Sequence, residues 1–509
     1  MNCKKILFLG LVVVGALFTG CGKKHSSDDD VNFEPPTVSF DISGGEALGG
    51  QEVDSSRSAR DATDLSSVSL VKIMSDGSLK SAISCQVPEL DIPDAEKTRM
   101  TKYGKLTDVF LPPKGSNCSD VYLLFDGPTY FPAVNEEEPG TVGYWGLSRL
   151  LCIHADGTWT DILNDSPWGV THYPIDSKKN IQIAEDGSLF VLFRDGGGWE
   201  YYIRKYDPET KTVSEVCRFG QSAPLDEETV GWTAEQWESN TINITRMEIS
   251  KDGKWAYIQI VKPGRKQYLH VAEIANPANF KDIVLDENIG GIESFCCWDY
   301  DEKSNKLYYL KIDRSNPNDV KGVVKKADYN GSNEVSFKNK DNNDVTLSGS
   351  YDALIVVAQN TVWVKETTAV YHVKLTDIYS GATNEIDSLT SMSTPYYCGN
   401  NYIVKDNAVY FCYGNESDYG KYPGCFKYNE ILRVAITNDL STARVINYKT
   451  ANSNLGNNLL ITSWSVGDSK LYVTGVSGLS VNYEINLDGS KKKLIGFEGQ
   501  VFTSIGSLK

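Results

Sequence analysis

Histidine is scarce in this chain of 509 residues, and one of the five histidines stands out as a candidate for chemistry. His172 lies in the segment 166–174, an aromatic stretch directly before a predicted strand. A histidine in a loop on a rigid scaffold can contact a ligand or a metal. Packing within its own loop is the alternative. The other histidines in the folded part are expected to be ordinary residues of predicted third strands: His154, His270 and His372.

One pair of cysteines is a candidate disulfide. Cys412 ends a predicted second strand and Cys425 begins the third, across the loop 414–424. Antiparallel register would place the two opposite each other within disulfide reach. Two separate thiols are the alternative. The chain has no paired Cys-x-x-Cys motif, so a zinc site is not expected and no metal ligand is predicted.

Motifs for covalent and phosphate chemistry are missing from the sequence. It contains neither the Gly-x-Ser-x-Gly of many serine hydrolases nor the Gly-x-x-x-x-Gly-Lys-Ser/Thr of a phosphate loop. Asp299 and Asp301 resemble the start of a calcium loop, but the later Gly and Glu are absent, which favours a hairpin turn. The sequence therefore predicts no catalytic residue and no cofactor, and it favours a non-catalytic role.

Aromatic side chains in long connections are the most suggestive feature for binding. Rings exposed on loops suit stacking on sugars or hot spots for protein partners. Packing within their own loops is the alternative for each of them. Together with His172, the ligand-binding candidates are four tryptophans: Trp145, Trp168, Trp199 and Trp232.

The N-terminus has the pattern of an export signal. Lys4 and Lys5 precede an apolar run over 6–18, which is too short to span a bilayer comfortably. Small residues directly before Cys21 resemble the lipobox of bacterial lipoprotein precursors, although Phe18 stands where that family usually has Leu. The resemblance implies cleavage before Cys21 and acylation of this cysteine, palmitate included, which would anchor the protein in the membrane. An ordinary secretory signal is the alternative.

The domain organisation follows from this pattern. Residues 1–20 form the predicted signal peptide. Residues 21–66 are polar and acidic, as in the run Ser-Ser-Asp-Asp-Asp over 26–30, and they contain too few apolar residues to fold alone. They are predicted to be a lipidated N-terminus followed by a flexible tether. Residues 67–509 form the predicted folded domain.

A turn signal recurs through this domain between runs of strand-forming residues. Asp-Gly or Asn-Gly between apolar runs predicts a hairpin, in which both central residues are expected to have positive φ. The recurring turns are Asp76-Gly77, Asp156-Gly157, Asp186-Gly187, Asp252-Gly253, Asn330-Gly331 and Asp488-Gly489.

Each repeated unit continues with two more strands, so the pattern resembles the blades of a β-propeller, with distant similarity to TolB-type and WD40-like repeats. The resemblance implies an all-β fold of seven four-stranded blades. First strands are expected to start near Leu106, Asn180, Ile242, Ile292, Tyr351, Asn401 and Leu459. The segments 68–83 and 501–508 remain outside these units, and together they could form an eighth blade closed by both chain ends. The second strand of that composite blade is missing from the sequence pattern.

The charge and the export signal narrow the function. Lys plus Arg number 50 and Asp plus Glu number 67, giving a net charge of −17, which argues against nucleic acid as a partner. The main hypothesis is a lipid-anchored envelope protein, at the outer membrane and on its periplasmic or cell-surface side. Its partners would be the bilayer, through Cys21, and an unknown envelope protein or polysaccharide. The alternatives are an outer-membrane assembly scaffold resembling BamB and a glycan-active propeller enzyme.

Overall fold

Strands make up almost all the regular structure in a computed structural model of the protein. Among the described residues the helical structure is one 3-10 turn, Leu440–Thr442, and no helix there is long and apolar enough to cross a membrane. The described residues are 47–49, 52–53, 67–86, 105–112, 120–129, 133–134, 142–143, 146–154, 158–162, 172–174, 181–195, 201–219, 243–262, 266–287, 298–316, 320–348, 354–358, 361–369, 372–387, 402–405, 407–414, 428–449, 451, 455, 459–477, 479–496, 501–502 and 505–507.

The first half of the chain contributes nineteen of the described strands. In chain order they are β1 (Ala47–Gly49), β2 (Glu52–Val53), β3 (Ser67–Ile73), β4 (Leu79–Gln86), β5 (Lys105–Phe110), β6 (Val121–Thr129), β7 (Ala133–Val134), β8 (Val142–Gly143), β9 (Gly146–Ile153), β10 (Trp159–Asp161), β11 (His172–Pro174), β12 (Ile181–Ile183), β13 (Leu189–Asp195), β14 (Tyr201–Asp207), β15 (Thr212–Phe219), β16 (Asn243–Ile249), β17 (Trp255–Lys262), β18 (Lys266–Glu273) and β19 (Asn276–Asp286).

The second half of the chain contributes the rest of the described strands. They are β20 (Trp298–Asp301), β21 (Lys306–Asp313), β22 (Lys321–Asp328), β23 (Val335–Ser336), β24 (Thr346–Ser348), β25 (Leu354–Ala358), β26 (Thr361–Ala369), β27 (His372–Asp377), β28 (Thr383–Asp387), β29 (Tyr402–Lys405), β30 (Ala408–Gly414), β31 (Tyr428–Ala435), β32 (Val445–Asn447), β33 (Leu460–Val466), β34 (Lys470–Ser477), β35 (Leu479–Asn486), β36 (Lys492–Leu494), β37 (Val501–Phe502) and β38 (Ile505–Ser507).

Seven four-stranded antiparallel units follow one another along the chain. Unit 1 is β5-β6-β9-β10, unit 2 is β12-β13-β14-β15, with β11 also beside β13, and unit 3 is β16-β17-β18-β19. Unit 4 is β20-β21-β22, with β23 and β24 sharing the fourth position, and unit 5 is β25-β26-β27-β28. Unit 6 is β29-β30-β31-β32 and unit 7 is β33-β34-β35-β36. The predicted all-β propeller of seven four-stranded blades is confirmed.

A further four-stranded sheet joins the two ends of the chain in the order β38-β1-β3-β4. Its second strand, absent from the sequence pattern, is Ala47–Gly49, which pairs with Ile505–Ser507 on one side and with β3 on the other. The first strand among the described residues is therefore Ala47–Gly49, which falls within the range 21–66 predicted to be tether. The sequence does not predict this strand because three residues with a glycine at one end carry almost no alternating pattern of apolar and polar residues.

The units are arranged so that their first strands meet. β20 contacts β25, and β38 contacts both β33 of unit 7 and β5 of unit 1, so the composite sheet bridges the first and last units. Sheet closure of this kind removes the exposed strand edges on which chains aggregate.

Six of the seven predicted first strands start within a few residues of the observed ones, whereas the fourth begins at Trp298 rather than near Ile292.

The hydrophobic core is divided among the contacts between neighbouring units. Units 4 and 5, for example, bury Tyr308 and Leu310 against Ile355 and Val364. Units 6 and 7 meet in the same way, and Ile505 of the composite sheet is buried in a cluster with Tyr472 of unit 7. Because each sheet covers both its faces with its neighbours, no single large core is needed for a chain of this length.

The hairpin turns show how the recurring motif works. Gly77 has φ +75°, and glycine is also in the left-handed region in four of the other predicted turns, at Gly187, Gly253, Gly331 and Gly489. The expectation that both central residues have positive φ is wrong, since the residues before these glycines do not. Instead the Asp76 carboxylate accepts a hydrogen bond of 2.9 Å from the Ser78 amide, which fixes the turn locally. The turn Asp156-Gly157 lies outside the described residues.

Candidate functional site

Because consecutive strands of each unit are antiparallel, the connections between them lie alternately at two opposite edges of the sheet. The links from first to second strand and from third to fourth strand lie on one edge, which we call the hairpin edge. The links from second to third strand, and from the fourth strand to the next unit, leave from the opposite edge, which we call the loop edge. Long connections concentrate on the loop edge, as between β6 and β9 and between β15 and β16.

The predicted tryptophans belong to connections that leave from the loop edge. Trp145, Trp168, Trp199 and Trp232 themselves lie outside the described residues, but the strands that flank them are described. Two of the connections run from second to third strand, in unit 1 and unit 2. The other two link unit 1 to unit 2 and unit 2 to unit 3. All four segments therefore start and end at the loop edges of three consecutive units.

His172 begins strand β11, which pairs with the end of β13. Its backbone lies opposite Asp195, the last residue of β13 and the one that opens the connection carrying Trp199. The structure therefore brings the His172 backbone to the same edge as the connection that contains Trp199. His154, His270 and His372 lie in or at the end of third strands, as predicted.

The predicted disulfide partner of Cys412 is not opposite it in the sheet. Cys412 is buried in β30, and its register partner in β31 is Ile431. The ladder ends at Gly414 opposite Tyr428, so β31 starts after Cys425, which lies outside the described residues. The expected register was wrong because the third strand begins later than its sequence suggested. Among the described residues the structure contains no disulfide, and the Cys412–Cys425 bond remains a prediction.

A largely buried charged cluster links the first strands of three units. We call Arg246, Glu248, Asp299 and Tyr402 the axial cluster. Arg246 and Glu248 lie two residues apart on β16, so both side chains point to the same face of the strand. Asp299 comes from β20 and Tyr402 from β29. Because the first strands of neighbouring units meet, residues from units 3, 4 and 6 converge here.

Asp299 is the centre of this cluster. Its Oδ2 accepts hydrogen bonds from the Tyr402 hydroxyl at 2.5 Å and from the Val357 amide of unit 5 at 2.7 Å. Its Oδ1 accepts from the Tyr300 amide at 3.0 Å and lies 3.5 Å from Nη2 of Arg246. One carboxylate thus connects units 3, 4, 5 and 6.

Arg246 is held in a fixed orientation. Its Nη1 donates to the Trp298 carbonyl at 2.7 Å, its Nη2 donates to Glu248 Oε2 at 2.7 Å, and its guanidinium lies 4.1 Å from the centroid of the Trp298 ring. The Trp298 indole in turn donates to the Gln259 side chain at 3.1 Å. A buried arginine stacked on an aromatic ring and paired with carboxylates is rigid and keeps its charge.

Burial dominates the electrostatics of the two carboxyl groups. It raises the pKa of Glu248 to about 7, with the charges of Asp299 and Glu302 acting in the same direction and Arg246 opposing them. Burial also raises the pKa of Asp299, against the effects of Arg246 and of the hydrogen bonds from Tyr402 and Val357. A carboxyl with a pKa near neutrality can donate or accept a proton at physiological pH.

The sequence did not single out this cluster. The sequence pattern predicts a hairpin turn at Asp299, and Arg246 and Glu248 fall within the first strand that is expected to start near Ile242. The available signal was the presence of charged residues at alternate positions of a predicted first strand, where an apolar face is expected.

Comparisons with solved structures find other propeller proteins at low identity. The propeller domain of the Trilobed protease from Pyrococcus furiosus is 10% identical, with 78% of this chain and 99% of that chain covered and a TM-score of 0.41. A prolyl endopeptidase is 12% identical, with a TM-score of 0.43, and the match covers 78% of this chain but 50% of the enzyme. The WD40 repeats of RRP9 are 11% identical, with 66% and 86% of the two chains covered and a TM-score of 0.34.

The chain has no match among protein-family profiles. No curated protein matches it in sequence. The fold is that of a β-propeller, as its own strand order shows.

Proposed function

We propose that this protein is a lipid-anchored envelope protein whose propeller binds a protein or a glycan at its loop edge without transforming it. The observation that carries this proposal is the convergence of four tryptophan-bearing connections and the His172 backbone on the loop edges of units 1 to 3. Tryptophan rings on a rigid scaffold are effective at stacking on sugars and at anchoring protein partners.

The anchor part of the proposal rests on Cys21 and the apolar run before it. Acyl chains on Cys21 would hold the protein on the membrane, and the acidic segment that follows would separate the propeller from the bilayer. Labelling of cells with a palmitate analogue tests this directly. The protein is expected to be labelled, and Cys21→Ser is expected to abolish the label. An unlabelled wild-type protein would exclude the anchor.

Binding is tested with the full mature chain, lipidated and held in detergent micelles. The expected result is saturable binding to one component of a panel of purified polysaccharides or of solubilised outer-membrane proteins, with no product released from that component. The two halves of the panel distinguish glycan from protein. Absence of saturable binding to either half would contradict the proposal.

A second candidate, a glycan-active enzyme, is favoured by one specific observation. Glu248, with its pKa raised to about 7 by burial, lies beside Arg246 and close to the buried Asp299. Two neighbouring carboxyl groups, one protonated and one ionised, perform acid–base chemistry on glycosidic bonds. In this case the wild type would release oligosaccharides from a polysaccharide of the panel, and Glu248→Gln would not. That result would show that the protein is an enzyme and not only a binding protein.

A scaffold role in outer-membrane assembly, resembling that of BamB, is the third candidate. Co-purification of the lipidated protein with the outer-membrane assembly machinery would favour it over binding at the loop edge. Substitution of the loop-edge tryptophans gives a further distinction, since a scaffold contact need not involve them.

A further inference from the structure

Three side chains with metal-binding atoms meet inside unit 1, far in sequence from the axial cluster. Oδ2 of Asp120 lies 3.1 Å from Nδ1 of His154 and 3.4 Å from Sγ of Cys152, and Sγ lies 3.7 Å from Nδ1. All three residues are buried, and Cys152 has no exposed surface. The three atoms form a closed triangle in the protein interior.

The strand register builds this triangle. Val121 pairs with Ile153, so Asp120, directly before β6, lies level with His154, directly after β9. Cys152 and His154 are two residues apart and therefore face the same side of the sheet. The third and second strands of one blade thus present carboxylate, thiol and imidazole to one point.

The other ring nitrogen of His154 has its own partner. Nε2 lies 3.0 Å from the hydroxyl of Thr160, which stands opposite Cys152 in the fourth strand. If Nε2 carries the ring proton and donates it to Thr160, the lone pair of Nδ1 points into the triangle. Histidine ligands of metals are usually fixed in this way, by a hydrogen bond from the nitrogen that does not bind the metal.

The triangle has the dimensions of one face of a zinc coordination tetrahedron. Zinc binds nitrogen and oxygen at about 2.0–2.2 Å and sulfur at about 2.3 Å, which places tetrahedral ligand atoms about 3.3–3.6 Å from one another. The three observed separations, 3.1, 3.4 and 3.7 Å, bracket that range. A cation could therefore bind with side-chain adjustments of a few tenths of an ångström.

A second, independent feature points to the same place. Tyr206 of unit 2 is completely buried, and its hydroxyl lies near the Cys152 thiol and the Thr160 hydroxyl. Its ring centroid lies 6.3 Å from that of His154. Burial raises the pKa of the Tyr206 hydroxyl, and the nearby Cys152 and Asp120 raise it further. Tyr206 therefore places a polar group of unit 2 beside the triangle.

We propose that Asp120, Cys152 and His154 form a structural site for a thiophilic divalent cation, best fitted by zinc, with the fourth position facing Tyr206. Binding releases the thiol proton of Cys152, so that a thiolate, a carboxylate and a neutral imidazole hold the cation. The site lies in the core shared by units 1 and 2, and a bound metal would join the second and third strands of unit 1. Its sequence signature is Cys-x-His on one strand, with an Asp 32 residues before the Cys.

The test uses the full mature chain, stripped with a chelator and titrated with Zn²⁺ or Co²⁺ alone. About one metal per chain is expected by elemental analysis, and Co²⁺ is expected to show the visible bands of tetrahedral coordination with a thiolate-to-cobalt charge-transfer band. Cys152→Ser and Asp120→Asn are expected to reduce the bound metal at least about tenfold.

Two matched variants control for incidental binding. His270 also pairs with a carboxylate, Asp282, at 2.8 Å, and Cys217 is a partly buried thiol in β15. His270→Gln and Cys217→Ser are expected to bind as much metal as the wild type. If Cys152→Ser does not fold, loss of the charge-transfer band in Asp120→Asn, with the band retained in Cys217→Ser, decides. No bound metal, no such band, or equal loss in the control variants would overturn the proposal.

Discussion

At the scale of single residues, Asp299 is the side chain on which the centre of the ring depends. It is almost fully buried, and it accepts hydrogen bonds from Tyr402, Tyr300 and Val357 while lying close to Arg246. Removing a buried carboxylate of this kind leaves several buried donors without an acceptor and takes away one of the two carboxylates beside Arg246.

We therefore expect Asp299→Ala to lower the free energy of unfolding by about 3–5 kcal/mol. Chemical denaturation followed by tryptophan fluorescence measures the change. Lys266→Ala is the matched control, because Lys266 pairs with Glu287 at 2.9 Å on the surface, and such pairs contribute about 1 kcal/mol or less. Equal effects of the two substitutions would contradict the central position of Asp299.

Glu248 makes the stability of the protein depend on pH in a defined direction. Its pKa in the folded protein is about 7, above its ordinary value of 4.5, so between these values the folded state binds a proton that the unfolded chain has released. The stabilisation is therefore complete below about pH 4.5 and is lost as pH rises through 7. Asp299 is shifted in the same direction and adds to the effect.

Glu248→Gln should remove this dependence, because the amide resembles the protonated acid at every pH. Relative to the variant, the wild type is expected to lose about 2 kcal/mol between pH 5 and pH 8. Thermal unfolding of both proteins across that range gives the difference. A constant difference between wild type and Glu248→Gln would show that this carboxyl does not titrate as described.

The residue scale is where sequence reasoning succeeded least. The Asp-Gly and Asn-Gly turns were found because their signal is local. Asp299, Arg246 and Tyr402 come from three different units, and nothing in the chain order indicates that they meet. The same holds for Asp120 and Cys152, which come together only through the register of β6 and β9.

At the scale of elements, the composite sheet is the part of the fold that depends on both chain ends. Ile505 of β38 is almost completely buried in a cluster with Ala47, Ile73, Tyr472 and Phe502. This cluster unites the first described strand, the last described strand and unit 7. A substitution that disrupts this cluster should therefore destabilise the closure of the ring.

Ile505→Ala is expected to lower the free energy of unfolding by about 2–4 kcal/mol, through lost burial and the cavity left behind. Val335→Ala, at a position 56% exposed on β23, should change it by less than about 0.5 kcal/mol. Limited proteolysis gives a second measure, since an opened ring is cleaved faster. Equal stability of the two variants would mean that β38 does not close the ring.

Two turn glycines form a matched pair that isolates the effect of a side chain packed closely against the turn. Gly489 and Gly381 have nearly equal φ, +79° and +77°. A Cβ at Gly489 would lie 2.8 Å from Ile446, whereas a Cβ at Gly381 would meet nothing within 4 Å. Gly381→Ala should cost about 1 kcal/mol from backbone strain alone, and Gly489→Ala should cost at least 1 kcal/mol more. Equal changes in melting temperature would contradict the close approach.

Element type and order were largely predictable, because alternating strands and Asp-Gly turns are signals that a few residues carry. The short strand Ala47–Gly49 was not predictable, since it owes its pairing to strands far away in sequence. The late start of β31 was missed for a similar reason, as tertiary register rather than local pattern decides where a strand begins.

At the scale of the whole molecule, the length of the chain is explained by repetition rather than by several domains. Seven units and the composite sheet bury their faces against one another, and the connections are sorted onto two edges. The net charge of −17 leads us to expect that nucleic acid is not a partner. The long connections of units 1 to 3 begin and end at the loop edge, where we propose that binding takes place.

The most direct test compares tryptophans on and off that edge. Trp199→Ala and Trp232→Ala are made in the full mature chain, and Trp159→Ala, at an exposed position on the fourth strand of unit 1, is the control. Affinity for the panel component that the wild type binds is measured by surface plasmon resonance. We expect at least a tenfold weakening, about 1.4 kcal/mol, for a loop-edge variant and no change for Trp159→Ala. Unchanged affinity in both loop-edge variants, or equal loss in the control, would contradict binding at the loop edge.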